Sequence, residues 1–310
     1  MKRILTLALA FHSAVQADAI TPVQRFFGMG GQFPDYANES ETADSPYDQA
    51  PFSPADSDLG VQEILTPYSG KSPILLHFAT AIYRTDNAPT ALNTVGESSW
   101  IWSNRLSASW RPRLIHGWFG DFGIGQEVLR FDRSSALDYE NFILRLGASK
   151  TIPELDDLIF YSRYEYQRIT TGSLSDGDYN AHRLRAGIEK TLWATPRHQL
   201  NAGANIAYEL SARPETLERN EYTLELSHRY AISENLYTFA TIQASYFDFD
   251  ENARTDWYYG ASLQLVWQFA TDATAHISLF YDQNNSDSPL DTNDYKSFTG
   301  GIGAGITYRF

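Results

Sequence analysis

Gly300-Gly301-Ile302-Gly303-Ala304-Gly305-Ile306-Thr307-Tyr308-Arg309-Phe310 alternates strictly between two kinds of residue. One face collects Phe298, Ile302, Ala304, Ile306, Tyr308 and Phe310, and the other Thr299, Gly301, Gly303, Gly305, Thr307 and Arg309. Successive side chains of a β-strand point to opposite sides, so the segment reads as a strand with lipid on one side and water on the other. The pattern continues upstream. From residue 74 the chain breaks into twelve alternating segments, near 74–84, 99–110, 118–131, 139–150, 158–168, 180–193, 198–211, 221–231, 236–248, 256–269, 273–283 and 297–310. Each exceeds the roughly 9 to 11 tilted residues that cross a bilayer core. In the seventh, Leu200, Ala202, Ala204, Ile206, Tyr208 and Leu210 oppose Asn201, Gly203, Asn205, Ala207, Glu209 and Ser211, whereas a soluble sandwich would keep its outer face polar. The predicted fold class is all-β: a transmembrane antiparallel up-and-down β-barrel of about twelve strands, with ten or fourteen as alternatives.

With its last strand closing on Tyr308-Arg309-Phe310, the chain resembles the bacterial outer-membrane β-barrel superfamily, porin-like proteins among them, as a class and not as one family. The resemblance implies a Gram-negative cell outer membrane, and the barrel-assembly machinery as a partner that reads the C-terminal strand. The opposite terminus agrees with export. Met1-Lys2-Arg3 is basic, Ile4 to Phe11 is apolar, and Val15-Gln16-Ala17 or Ala17-Asp18-Ala19 fits a signal-peptidase site, so residues 1–19 are predicted to be a signal peptide. Without any cysteine the chain has no lipoprotein anchor, disulfide, thiolate metal site or thiol nucleophile.

Residues 20–73 differ in composition. Pro22, Pro34, Pro46, Pro51, Pro54, Pro67 and Pro73 recur among Asp, Ser and Gly, and from Phe26 to Gly70 eight acids stand with no Lys or Arg. This is predicted to be an acidic, largely irregular periplasmic segment preceding a barrel of 74–310. Within it, Asp58-Leu59-Gly60-Val61-Gln62-Glu63-Ile64-Leu65 is apolar enough to dock, as an anchoring patch or as a plug. A formal charge of −14 argues against nucleic-acid partners, which require a basic footprint.

Long connections (86–98, 170–179, 212–220, 251–255, 284–296) alternate with short ones (194–197, 233–235, 270–272), although 132–138 and 151–157 are equal. Short periplasmic turns and longer external loops give this pattern when both termini are periplasmic. Aromatic residues form two expected membrane girdles: Trp110, Trp118, Trp193, Trp267, Tyr308 and Phe310 at periplasmic ends, Trp100, Tyr139, Tyr246 and Trp257 at external ends. Outer-membrane lipid and lipopolysaccharide are the implied surroundings, and Asn104 is a polar lipid-side candidate for contact between barrels.

Opposite their apolar neighbours, Arg105, Asp121, Glu127, Arg145, Arg163, Glu165, Arg183, Arg185, Glu189, Glu209, Glu225, Arg229 and Arg309 are predicted to line a pore. Enclosed charges must be paired or hydrated, so one reading is a mutually neutralising network. The other is a basic ladder of Arg145, Arg163, Arg183 and Arg185 with Glu165 and Glu189 as the acids beside it, favouring anionic solutes. Inward Gly301, Gly303 and Gly305 either leave a gap, seat a plug or ease curvature. Asp248, Asp250, Glu251, Asp287, Asp291 and Asp294 read as solvated external-loop charge, and no metal or cofactor is expected.

Some outer-membrane barrels are enzymes. His276-Ile277-Ser278 matches the first three positions of the phospholipase A family's His-x-Ser-Asn-Gly motif, but Leu279 and Phe280 depart from it. His276 and Ser278 also share the lumenal face with Thr274 and Asp282, whereas that family's dyad faces lipid. The Asp-His couple of the omptin proteases has no clear equivalent, and His77, His116, His182, His198 and His228 look scattered and structural. The expected function is a channel for passive diffusion of small hydrophilic solutes, anionic ones included. A closed structural or adhesive barrel displaying acidic loops is the alternative, and a lipid-modifying hydrolase is third.

Overall fold

The computed structural model describes residues 74–88, 97–114, 118–133, 138–171, 179–195, 197–250, 254–287 and 294–310. The expected signal peptide and the segment 20–73 lie outside the described residues. Twelve strands follow in order: β1 (Ile74–Ala88), β2 (Glu97–Trp110), β3 (Trp118–Phe131), β4 (Tyr139–Ile152), β5 (Leu158–Thr171), β6 (Tyr179–Ala194), β7 (His198–Arg213), β8 (Arg219–Ser233), β9 (Leu236–Phe249), β10 (Thr255–Ala270), β11 (Ala273–Ser286) and β12 (Tyr295–Arg309). Each pairs antiparallel with its sequence neighbours, and β12 returns to β1, closing the barrel. Closure begins where Ile74 and Phe310 exchange backbone hydrogen bonds of 3.1 and 2.9 Å, and runs from Leu75↔Arg309 to Thr85↔Thr299. No unpaired edge is left to template aggregation.

The strands outrun the apolar pattern at the end of the barrel away from the termini, called the loop end below. β1 continues to Ala88, β7 to Arg213 and β11 to Ser286, while β8 begins at Arg219 and β12 at Tyr295. The flanks of the segments read as loops at 86–98, 212–220 and 284–296 are therefore strand. Ladder hydrogen bonds are indifferent to side-chain polarity, and alternation fades where outward residues such as Asp86 and Asn285 turn polar while the ladder persists.

Around the wall, outward positions are apolar and inward positions are mostly polar. Ile302 is 63% and Leu224 65% exposed outside, whereas Arg163 and Asn201 are both 2% exposed inside. A continuous apolar exterior is what water disfavours and a bilayer core accepts. Outward Trp110, Trp193, Trp267, Tyr308 and Phe310 gather at the terminus end, and Trp100 and Trp257 at the loop end. Trp110 stacks on Phe122 at 5.4 Å and Trp257 packs on Tyr246 at 5.1 Å, while Trp118 at the terminus end receives Lys150 at 5.8 Å. Tyr139, expected in the external girdle, instead turns inward and is buried.

The inward glycine row on β12 leaves no gap. A Cβ at Gly303 would lie 2.5 Å from His276 Nε2 and one at Gly305 3.1 Å from His77 Cε1, and at Gly301 it would collide with the Tyr83 ring. Side chains from β1 and β11 lie across this row, and His77 Nδ1 is fixed 2.9 Å from Thr307 Oγ1. Glycine serves here as floor space for larger neighbours.

Candidate functional site

The lumen is the candidate site, and its charges concentrate on β3–β8. Arg145 bonds Asp121 at 2.8 Å, Arg163 bonds Glu165 at 2.7 Å and approaches Asp121 at 3.9 Å, and Arg185 bonds Glu165 at 3.2 Å and Glu221 at 3.0 Å. Arg183 bonds Glu209 at 2.7 Å and Tyr179 Oη at 3.0 Å. Local sequence arranges this reach. Gly147 is the cross-strand partner of both Asp121 and Arg163, and a Cβ there would overlap the Arg163 side chain, so only glycine lets Arg163 cross β4 towards Asp121. The Tyr161 ring lies 4.8 Å beneath the same guanidinium and occupies the space over Gly187.

Four arginines thus meet four carboxylates, Asp121, Glu165, Glu209 and Glu221. Of the two readings of the inward charges, these contacts resemble the neutralising network: Arg145, Arg163, Arg183 and Arg185 stand on one wall as members of ion pairs. Glu221 was missed, although its two-residue spacing from Thr223 and Glu225 places it on their face. Glu189 sits nearer the terminus end, opposite Gly203 and Ile159. Alternation reports which face a residue takes, whereas ion pairing depends on the stagger between strands, which no single strand encodes.

Of the other pore-lining candidates, Arg105 and Glu127 pair at 3.2 Å on β2 and β3, with Ser103 donating to Glu127 at 2.8 Å. Arg229 stacks over Tyr237 at 4.8 Å, and Glu225 lies between Gly203 and Gln243. The Arg309 side chain lies outside the described residues. On the facing wall, β9–β12 supply a mostly neutral surface including Thr241, Gln243, Ser245, Ser262, Gln264, Ser278, Ser297 and Thr299. Its buried acids are held locally: Asp282 accepts from Tyr258 at 2.5 Å, and Asp256 pairs with Arg254 and accepts from Asn284 at 3.2 Å.

Near the loop end the interior turns apolar. Tyr83, Ile101, Leu129, Phe131, Tyr139, Ile169, Tyr179, Ala181, Ala212, Leu217 and Phe280 belong to one buried cluster, a collar around much of the wall. Leu217 reaches it from the one-turn 3-10 helix Glu215–Leu217 between β7 and β8. The collar has no counterpart among the sequence expectations, which assign the inner face polar and small residues only.

Acids at this end have a structural task. Asp86, Asp132, Asp138, Asp287 and Asp294 accept the backbone N–H groups of Phe298, Trp100, Phe131, Thr255 and Ser286 at 2.8, 3.0, 2.7, 2.6 and 2.6 Å. The Ser99 hydroxyl holds the Asp132 carboxyl below its ordinary range, and the Thr255 backbone does so for Asp287. Asp287 and Asp294, expected as solvated loop charge, are exposed and in addition cap ladders. Asp248 lies within β9, while Glu251 and Asp291 fall outside the described residues.

Two histidines expected to be scattered are together. His198 and His228 lie 3.2 Å apart on the outer face, with Trp193 and Tyr230 stacked on His198 at 5.1 and 4.6 Å. His182 packs outward with Tyr164 and Tyr166, and His116 lies outside the described residues. On β11 the inward Ser278 is fully buried beside Gln264 and Gly301.

No protein-family model matches the chain, and no curated protein sequence matches it. Solved structures do. An outer membrane channel from Pseudomonas putida F1 superposes over 79% of this chain and 100% of its own, with a TM-score of 0.53 at 12% identity. The fold is that of an outer-membrane β-barrel. The NanC porin covers 74% of this chain and 98% of its own at 12% identity, with a TM-score of 0.45. The likeness to the first of these is one of fold.

Proposed function

We propose that the protein is a channel in the bacterial outer membrane, reached by signal-peptide cleavage and barrel insertion, through which small hydrophilic solutes diffuse. The observation that carries this reading is the inverted partition of the wall: apolar outward positions surround an interior of ion pairs, amides and hydroxyls. Because the four ladder arginines are matched by four carboxylates, the wall offers no surplus positive charge there, and the solutes served are neutral or of either sign. Fold likeness to an outer membrane channel supports the location and the passive role. Selectivity residues would be the predicted lumenal set enlarged by Glu221, with catalysis assigned to none.

Liposome swelling tests this directly. Proteoliposomes holding the refolded full chain should swell in isosmotic arabinose and in potassium gluconate at comparable rates. Swelling no faster than protein-free liposomes in either would contradict the channel.

A closed barrel is the second reading, and the collar near the loop end favours it, since a ring of apolar side chains resists wetting. In that case the loops, not the lumen, would hold the function.

A further inference from the structure

We infer that the outer wall centred on β2 is an interface between two copies of this chain in the membrane, with Asn104 and Gln126 as its polar contacts. Asn104 stands on β2 between the girdle residues Trp100 and Trp110, on the same face as exposed Trp102 and Leu106. Gln126 stands on β3 opposite Leu106 and Phe142, on the face of exposed Phe122 and Ile124. Because Val128 is the β3 partner of Asn104, the two carboxamides are diagonal neighbours across one strand pair. The other outward carboxamides among the described residues, Asn180, Asn220, Gln283 and Asn285, all lie at the loop end. Neither Asn104 nor Gln126 has a side-chain hydrogen-bond partner among the described residues.

The hydrocarbon layer holds no water to answer such a group, so a polar side chain there is bonded within its own protein or across a protein contact. A carboxamide carries two N–H donors and an acceptor oxygen, so even a bond between Asn104 and Gln126 would leave donors and lone pairs of the pair unused. Acyl chains can cover this wall but offer the amides nothing, and lipid headgroups stay at the girdles. A second carboxamide both donates and accepts, and the same patch on another copy supplies it.

The shape around the amides is self-complementary. On the β1 side of Asn104, Thr80, Ala304 and Ala275 are successive outward partners on β1, β12 and β11, and they floor a hollow of about 500 Å³ bounded by Trp102 and Trp267. On the β3 side the wall is bulky, with Ile124, Phe142 and Leu146 pointing outward. Both copies enter the membrane in one orientation, so a two-fold axis between them runs along the membrane normal. Placed at Asn104, that axis sets each pair of amides against its mate and lays the bulky side of one barrel over the hollow of the other. Small residues that let backbones approach, joined by polar side chains that bond across the contact, are what holds protein surfaces together in lipid.

Because the chain has no cysteine of its own, disulfide cross-linking tests the interface directly. Leu106→Cys lies beside the axis and Leu224→Cys on the opposite wall, on β8, and both positions are exposed. Each full-chain variant is refolded into phosphatidylcholine vesicles at high lipid dilution and oxidised with copper phenanthroline. The expected result is a band of twice the chain's mass for Leu106→Cys, about tenfold stronger than for Leu224→Cys, and falling to the latter's level when Asn104→Leu and Gln126→Leu are added. Heat-modifiable gel mobility checks that every variant is folded. No band for Leu106→Cys, equal bands at the two positions, or a band that survives loss of both amides would overturn the interface and leave that wall to lipid. Conductance plays no part in the readout, so the interface stands or falls separately from the channel reading.

Discussion

Arg185 is gripped from three neighbouring strands, by Glu165, Asn205 and Glu221. Desolvation cancels much of what such a cluster contributes when intact, but removing one member strands its partners as uncompensated charge. Arg185→Ala should lower the unfolding free energy in liposomes by about 3 to 5 kcal/mol, read by urea titration of tryptophan fluorescence. A loss below about 1 kcal/mol would mean the pairs are solvated. Gly303→Val should cost at least about 1 to 3 kcal/mol by the same titration, because the new side chain takes the space of His276. Not all of this was legible. The inward face of Arg145, Arg163, Arg183 and Arg185 followed from two-residue alternation, whereas their neutralisation by Asp121, Glu209 and Glu221 depends on inter-strand stagger. Glu221 opens the segment read as 221–231 and shares the face of Thr223 and Glu225, yet it is absent from the lumenal set.

At the scale of the strand and hairpin, the carboxylate caps make the loop end sensitive to acid. The folded-state pKa values of Asp132 and Asp287 are depressed, so their hydrogen bonds contribute stability above the unfolded carboxylate range, lost as pH falls through the folded values. Amide-exchange protection at Trp100 and Thr255 should hold above about pH 5 and fall below about pH 4. Asp132→Asn and Asp287→Asn should remove that pH step, since an amide oxygen accepts without titrating; a step that persists would assign it elsewhere. Twelve strands could be counted from sequence because lipid enforces apolar outward residues in every crossing. Their loop-end limits could not, since β11 continues through Asn284-Asn285-Ser286 on backbone pairing alone. The collar escaped for a related reason: Leu129, Ile169 and Tyr139 are apolar on the inner face, where alternation assigns them no role. Leu129→Thr/Ile169→Thr should wet the collar and raise single-channel conductance, and unchanged conductance would remove the collar from the permeation path.

For the whole molecule, the exterior distinguishes a membrane barrel from any soluble one. Ile302, 63% exposed, would tolerate arginine in water, but Ile302→Arg near the bilayer midplane should cost about 2 to 4 kcal/mol of folding free energy in liposomes. Little or no loss would place that wall outside lipid. Passage through the lumen is the central claim, and single-channel recording in planar bilayers tests it most directly, with the mature chain and with a version lacking residues 20–73. Discrete current steps are predicted, larger or more frequent in the shortened protein if the acidic segment enters the lumen. A silent bilayer with both proteins, each verified as folded and inserted, would contradict the account and leave a closed barrel.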